Sequence, residues 1–133
     1  MLALATVLDS GRPVLFTNAI AVNGNPKLES PTFDHWFDTS VFSAQPAFTP
    51  RTNPVYFDGL NGPGAWFVDM TMTKSFPIGS YRLEGRFEAY NLFNHIVWDQ
   101  PETTFGNANF GKVTRKRVDS YGREIQVGLR FVF

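Results

Sequence analysis

The sequence predicts an all-β chain, an antiparallel meander of about four strands joined by one tight turn and two long loops. Three observations carry that expectation. First, the closing residues alternate: Ile125, Val127, Leu129, Phe131 and Phe133 have one parity, and Glu124, Gln126, Gly128 and Arg130 have the other, with Val132 the apolar intruder. Successive strand side chains leave opposite faces of a sheet, so this segment has a greasy face and a polar face up to its last residue. Second, the same period of two fills the stretch from Ala65 to Ala89, on either side of Pro77-Ile-Gly-Ser80. Third, no apolar run approaches the ~20 residues that a membrane helix requires, so any span must be made of strands.

The first strand is read at residues 1–8, Met-Leu-Ala-Leu-Ala-Thr-Val-Leu, ending at Asp9-Ser-Gly11. It lacks the basic flank and longer apolar stretch of a secretory signal. The expectation is therefore a strand whose beginning is missing, in a chain that is a fragment of something longer. Residues 9–64 hold seven of the nine prolines and five of the eleven glycines, a density that excludes long regular elements. Yet Phe33, Trp36, Phe37, Phe42, Phe48, Tyr56 and Phe57 need packing partners, which predicts an ordered long loop with a short helix or hairpin near Phe33–Phe42.

The second strand is read at 65–76, with Trp66, Val68, Met70 and Met72 on one face and Asp69, Thr71, Thr73 and Ser75 on the other. Lys74 falls on the apolar parity near the strand end, where its stem can snorkel to an interface. A tight connection at 77–80 leads to the third strand, 81–93. There Tyr81, Leu83, Gly85, Phe87 and Ala89 alternate with Arg82, Glu84, Arg86 and Glu88. Leu83, Phe87, Tyr90 and Phe93 also match helical spacing, but Gly85 and the preceding turn favour a strand. A second loop, 94–122, ends in a basic tip at Arg115-Lys-Arg117, and the last strand follows at 123–133.

Composition narrows the function. Twelve basic and twelve acidic residues cancel, which removes any bulk electrostatic case for nucleic acid. The chain has no cysteine, which excludes disulfide scaffolds, zinc ribbons and thiol nucleophiles. Fourteen phenylalanines and an aromatic share of 16% suit membrane-interface belts. His35 and His95 stand alone, without the three or four converging donors of a metal site. The interleaved arginines would keep Glu84 and Glu88 ionised, a poor state for a general acid. Gly62-Pro-Gly64 lacks the Lys-Ser/Thr of a phosphate loop. No catalytic residue, cofactor site or metal site is expected, and the chain is not expected to be an enzyme.

Long loops on one side, a tight turn on the other, and strands near the ~9–11 residues of a tilted membrane strand are the pattern of outer-membrane β-barrels. In that arrangement loops 9–64 and 94–122 are extracellular and the turn and C-terminus periplasmic. Asp69, Arg82, Glu84, Arg86, Glu88, Glu124 and Arg130 face the lumen, where opposite charges pair across strands. Trp66 sits at the outer interface, and Tyr81 and Phe133 at the periplasmic one.

The residues resemble the C-terminal end of the β-barrel of TonB-dependent outer-membrane receptors, in particular the Oar-like group that carries a carboxypeptidase-regulatory-like domain. The likeness rests on Ser10-Gly-Arg-Pro13, Trp36-Phe-Asp-Thr-Ser40, Gly62-Pro-Gly-Ala-Trp66, Val68-Asp69 and Lys74-Ser-Phe-Pro77. It continues through Arg86-Phe-Glu-Ala-Tyr-Asn-Leu-Phe-Asn-His95, Phe110-Gly111 and Gln126-Val-Gly-Leu-Arg-Phe-Val-Phe133. It implies that residues 1–133 are part of a roughly 22-stranded, plug-filled solute transporter of a Gram-negative-type outer membrane. It also implies that Leu129, Phe131 and Phe133 form the signal read by the barrel-assembly machinery through strand addition. The expected partners are outer-membrane lipid, the remaining barrel and plug, the assembly machinery, and TonB through a part that this sequence lacks. About four strands cannot close a barrel, so transport by these residues alone is not expected. The rival expectation is a soluble β-sandwich that binds carbohydrate on its aromatic loop, with Trp66, Val68, Met70, Met72, Phe87, Ile125 and Leu129 buried under a second sheet.

Overall fold

The strands form where side chains alternate and stop where the backbone turns left-handed. The computed structural model describes all residues, 1–133. It contains β1 (Leu2–Asp9), β2 (Ala21–Val22), β3 (Phe42–Ser43), β4 (Ala65–Ile78), β5 (Tyr81–Tyr90) and β6 (Glu124–Val132), with a single 3-10 turn at Thr39–Val41. Four of them make one antiparallel sheet in the order β1-β4-β5-β6, and β2 pairs with β3. The fold is thus all-β, with the long strands in an open meander.

The β4–β5 connection is tighter than expected, because Ile78 and Tyr81 are already partners and only Gly79 and Ser80 lie between them. Gly79 has φ +61° and Ser80 is not left-handed, the pattern of a two-residue II′ hairpin. Pro77 accordingly lies inside β4 rather than in the turn. Strand β1 pairs with β4 from Ala65 to Met72, so Pro77 lies outside the paired stretch of that ladder, a position where proline is tolerated.

Strand β5 ends at Tyr90, three residues short of the expected end, and the cause is Asn91. Its φ of +49° turns the chain out of the sheet. Asparagine tolerates that region because its short amide can bond the local backbone. Asn94 repeats the device at φ +52°. Residues 91–93 therefore form a turn, which settles the helix-or-strand ambiguity of this segment in favour of a shorter strand.

The chain folds as two compact units: residues 1–9, 65–96 and 119–133 form the sheet unit, and 10–64 with 97–118 form the other. The second unit has its own core. Val14, Phe16, Ile20, Phe37, Phe42 and Leu60 are buried, with Val22, Trp36, Val41, Phe57 and Phe110 packed against them. Phe42 is its hub, with ring centroids 5.2, 5.5, 6.0 and 5.4 Å from Phe16, Phe37, Phe57 and Phe110, and Phe16 meets Phe37, Phe42 and Phe57. Aromatic pairs at these separations, stacked for Phe16–Phe42 and edge-to-face for the others, add ~0.5–1.5 kcal/mol each beyond burial. Little regular structure is needed, because side chains supply what a ladder would. Arg51 caps the carbonyls of Phe16, Thr17, Asn53 and Pro54, and the Asn53 amide bonds the backbone of Ile20 and Asn18. The 3-10 turn at Thr39–Val41 falls in the region where a short helix or hairpin is expected, whereas Phe42–Ser43 pairs with Ala21–Val22, about twenty residues earlier.

The basic segment is not a free tip. Asp99 N–H donates to the Arg115 carbonyl at 2.9 Å and Arg117 N–H to the Val97 carbonyl at 2.9 Å, with Trp98 bridged to Lys116. Residues 115–117 are thereby held along 97–99, although Arg115 and Lys116 keep exposed side chains.

Candidate functional site: the two faces of the sheet

The surface that bears on function is the sheet itself, and the register builds it. Directly paired residues point the same way, so the pairing places every row on one face. Leu4, Met70, Ala89 and Ile125 form one row, and Leu2, Met72, Phe87 and Val127 the next. Lys74, Gly85 and Leu129 follow, then Phe76, Leu83 and Phe131. Leu8 with Trp66 and Thr6 with Val68 extend this face at one end, and Ile78 with Tyr81 at the other. The result is a continuous apolar band across all four strands.

That band is uncovered. Leu2 and Leu4 are each 61% exposed, Val127 74% and Leu129 75%. Met72, Phe76, Ile78, Ile125 and Phe131 are also exposed. The burial under a second sheet that a sandwich requires is absent from these positions. Water would make such a face a liability, since monomeric soluble proteins rarely expose large contiguous apolar patches.

Aromatic rings mark both ends of the band. Trp66 stacks on the His95 ring at 4.2 Å and lies 5.9 Å from Phe93. At the hairpin end, Tyr81 lies 5.5 Å from Phe131, which lies 6.5 Å from Phe133. Twelve strand steps separate Trp66 from Ile78, roughly 40 Å at ~3.3 Å per residue. A tilt of about 45° would reduce this to roughly 28 Å, close to the ~25 Å apolar band of outer-membrane barrels.

The opposite face holds the expected polar set. Asp69, Arg82, Glu84, Arg86, Glu88, Glu124 and Arg130 all share it. Their pairing differs from the expectation in one respect: Arg82 bonds Glu84 at 3.0 Å and Arg86 bonds Glu88 at 2.7 Å, both along β5 rather than across strands. Neighbours two apart on one strand lie ~7 Å apart, within reach of an arginine. Glu84 and Arg130 are register partners, so opposite charges also stand side by side.

A cluster of polar residues at the exit of β5 was not anticipated by sequence reasoning. Asn91 is 3% exposed. Its amide donates to the carbonyls of His95 at 3.0 Å and Tyr121 at 2.8 Å, and its Oδ1 accepts from His95 N–H at 2.9 Å. Asp69 accepts from Asn91 N–H at 2.8 Å, and Asn94 Oδ1 accepts from Arg123 N–H at 3.0 Å. The cluster ties the end of β5 to the start of β6. Its sequence signal is the pair of asparagines three residues apart directly after a strand. Tyr121, against Phe67 at 6.1 Å, has its hydroxyl pKa pushed up by burial and by the Asp69 and Glu124 carboxylates.

Phe37 lies in the second unit's core and Phe57 against it. Trp36 Nε1 donates to the Asn61 carbonyl at 2.8 Å, while Tyr56 is exposed. His95 serves as Trp66's stacking partner. No group of three or more potential metal-donor side chains converges in the chain.

The sheet therefore has the surface of a membrane-spanning β-structure, apolar outward between two aromatic ends and charged on the reverse. Residues 4–126 match the model of the outer membrane beta barrel domain. The chain belongs to that family, and its strands are a partial outer-membrane barrel. No curated protein and no solved structure matches the chain.

Proposed function

We propose that residues 1–133 form the C-terminal-type sector of the barrel of a TonB-dependent receptor of the Oar-like group, contributing wall and lumen surface to solute uptake. The observation that carries this reading is the uncovered apolar band on a sheet whose outer strands, β1 and β6, both have open edges. In hydrocarbon each unpaired edge group costs several kcal/mol, and the smallest barrels need about eight strands. Four strands are stable there only with further strands on both sides. The resemblance of the Glu88-Ala-Tyr-Asn-Leu-Phe-Asn-His95 run and of the last eight residues supports the receptor assignment. In this reading the 79–80 hairpin is periplasmic, the polar face lines the lumen, and the sector has no catalytic role.

Leu129, Phe131 and Phe133 then supply the assembly signal, with β6 presented as a strand to be augmented. Residues 1–133 contain no cysteine, so a cysteine-free background of the complete protein needs no change within this sector. Single cysteines at Leu129 and Arg130 in the complete protein should react oppositely: Leu129→Cys with lipid-soluble maleimide only, Arg130→Cys with a water-soluble one. Uptake should also vanish when the cell's TonB is removed. Equal aqueous labelling of both sites would overturn the spanning topology, and TonB-independent uptake would overturn the receptor assignment.

A further inference from the structure

The apolar face carries a single charged residue, Lys74, and no Asp or Glu shares that face. Lys74 is exposed, and its ammonium lies 5.8 Å from the centroid of the Phe76 ring. The side chain therefore runs along β4 toward the Gly79–Ser80 hairpin. Its register partner is Gly85. A methyl group added at Gly85 would meet Leu129 Cδ2 at 3.8 Å and the Lys74 carbonyl at 3.9 Å, ordinary contact distances, so the position accepts a side chain without a clash. The missing side chain leaves a notch of about 210 Å³ lined by Met72, Lys74, Phe87, Val127 and Leu129.

We propose that Lys74 and the Gly85 notch bind an anionic glycerophospholipid of the hairpin-side leaflet. One acyl chain lies in the notch and the phosphate rests on the Lys74 ammonium. The inference rests on the reading that the apolar band meets lipid. Lys74 stands four residues from Ile78, roughly 13 Å along the strand and about 9 Å in depth at a 45° tilt. The lysine stem spans most of that depth, so the charge arrives where glycerol and phosphate groups lie. A cation with no acid on its own face takes its counter-charge from outside the chain. The adjoining notch is apolar and open to the surroundings, which fits a hydrocarbon tail carried by the same molecule.

The test uses the full chain in its complete barrel, in bilayers of phosphatidylethanolamine containing spin-labelled phosphatidylglycerol or spin-labelled phosphatidylcholine. One lysine near a lipid surface predicts an association preference of about fivefold for phosphatidylglycerol. Lys74→Gln should abolish the preference without reducing the total of motionally restricted lipid. Lys74→Arg should retain it. Gly85→Leu, which fills the notch on a lipid-facing position, should weaken retention of both labelled lipids. An unchanged preference in Lys74→Gln overturns the proposal, and so does displacement of the lipid by millimolar inorganic phosphate. If no lipid is restricted even in the wild-type protein, the spanning reading fails and this site fails with it.

Discussion

The Asn91 cluster makes the sharpest prediction for the fold. Replacing Asn91 with alanine removes two donated and one accepted side-chain hydrogen bond. At a net ~1 kcal/mol each, the loss is about 3 kcal/mol. Alanine must also hold the left-handed φ of +49°, which costs roughly a further 1 kcal/mol. The expected total is therefore about 4 kcal/mol for Asn91→Ala and about 3 kcal/mol for Asn91→Gly, which removes the bonds but not the conformational freedom. The assay is denaturant unfolding of the complete protein in lipid vesicles, followed by tryptophan emission. Trp66 is a local reporter, since it stacks on His95, whose N–H and carbonyl the Asn91 amide holds. A loss under 1 kcal/mol in Asn91→Ala would refute the reasoning, because solvent would then be satisfying groups that are placed here in a buried network. Equal effects of alanine and glycine would refute only the conformational part.

Other expectations follow from the two faces and the second core. Leu129→Arg, at mid-strand on the apolar face, should cost ~2–4 kcal/mol and lower the assembled amount in outer-membrane fractions, whereas Arg130→Leu should leave that amount nearly unchanged. Phe16→Ala should cost ~3–5 kcal/mol in the second unit, read as faster proteolysis within residues 10–64 while the strands remain protected. Gly111→Ala should destabilise the same unit, because φ is +81° and the new methyl would stand 2.5 Å from Thr39 Cγ2. Acid should loosen it as well. The Ser40 hydroxyl and N–H hold the Asp38 carboxyl below its usual range, and Thr104 does the same for Glu102. A depressed carboxylate pKa adds stability above the ordinary carboxylate range, lost as pH falls through the folded value. Amide exchange at Ser40 and Thr104 should therefore rise, relative to the intrinsic rate, only at acid pH, and Asp38→Asn should remove the pH dependence at Ser40.

Much of the sheet was legible in the residues alone. Alternation in Ala65–Phe76, Tyr81–Ala89 and Ile125–Phe133 determined that strands form, which side chains share a face, and that one face is greasy from end to end. That follows from the strict period of two, a local property requiring no partner. The two-sided polarity also pointed to a membrane, since lipid and lumen impose opposite chemistry on alternate residues. The exact ends of β5 and of the hairpin were not legible. Asn91 leaves the strand because its amide finds Tyr121, thirty residues on, and that contact exists only once the sheet has formed.

The second unit shows the complementary limit. Its prolines and aromatics announced an ordered loop with a packing need, but not which rings meet. Phe16, absent from the aromatic residues singled out in the sequence, proved to be fully buried in the cluster against three other rings. Aromatic packing without strand or helix has no period to read, because its contacts are set by ring shape and long-range chain closure. The charges of β5 carry the same lesson: residue order determined that they alternate, and only the relative positions of the side chains decided that they pair along the strand. Sequence thus determined the faces, through a repeat written into neighbouring residues. Tertiary structure decided the boundaries, the aromatic core and the pairing, each of which depends on groups far apart in the chain.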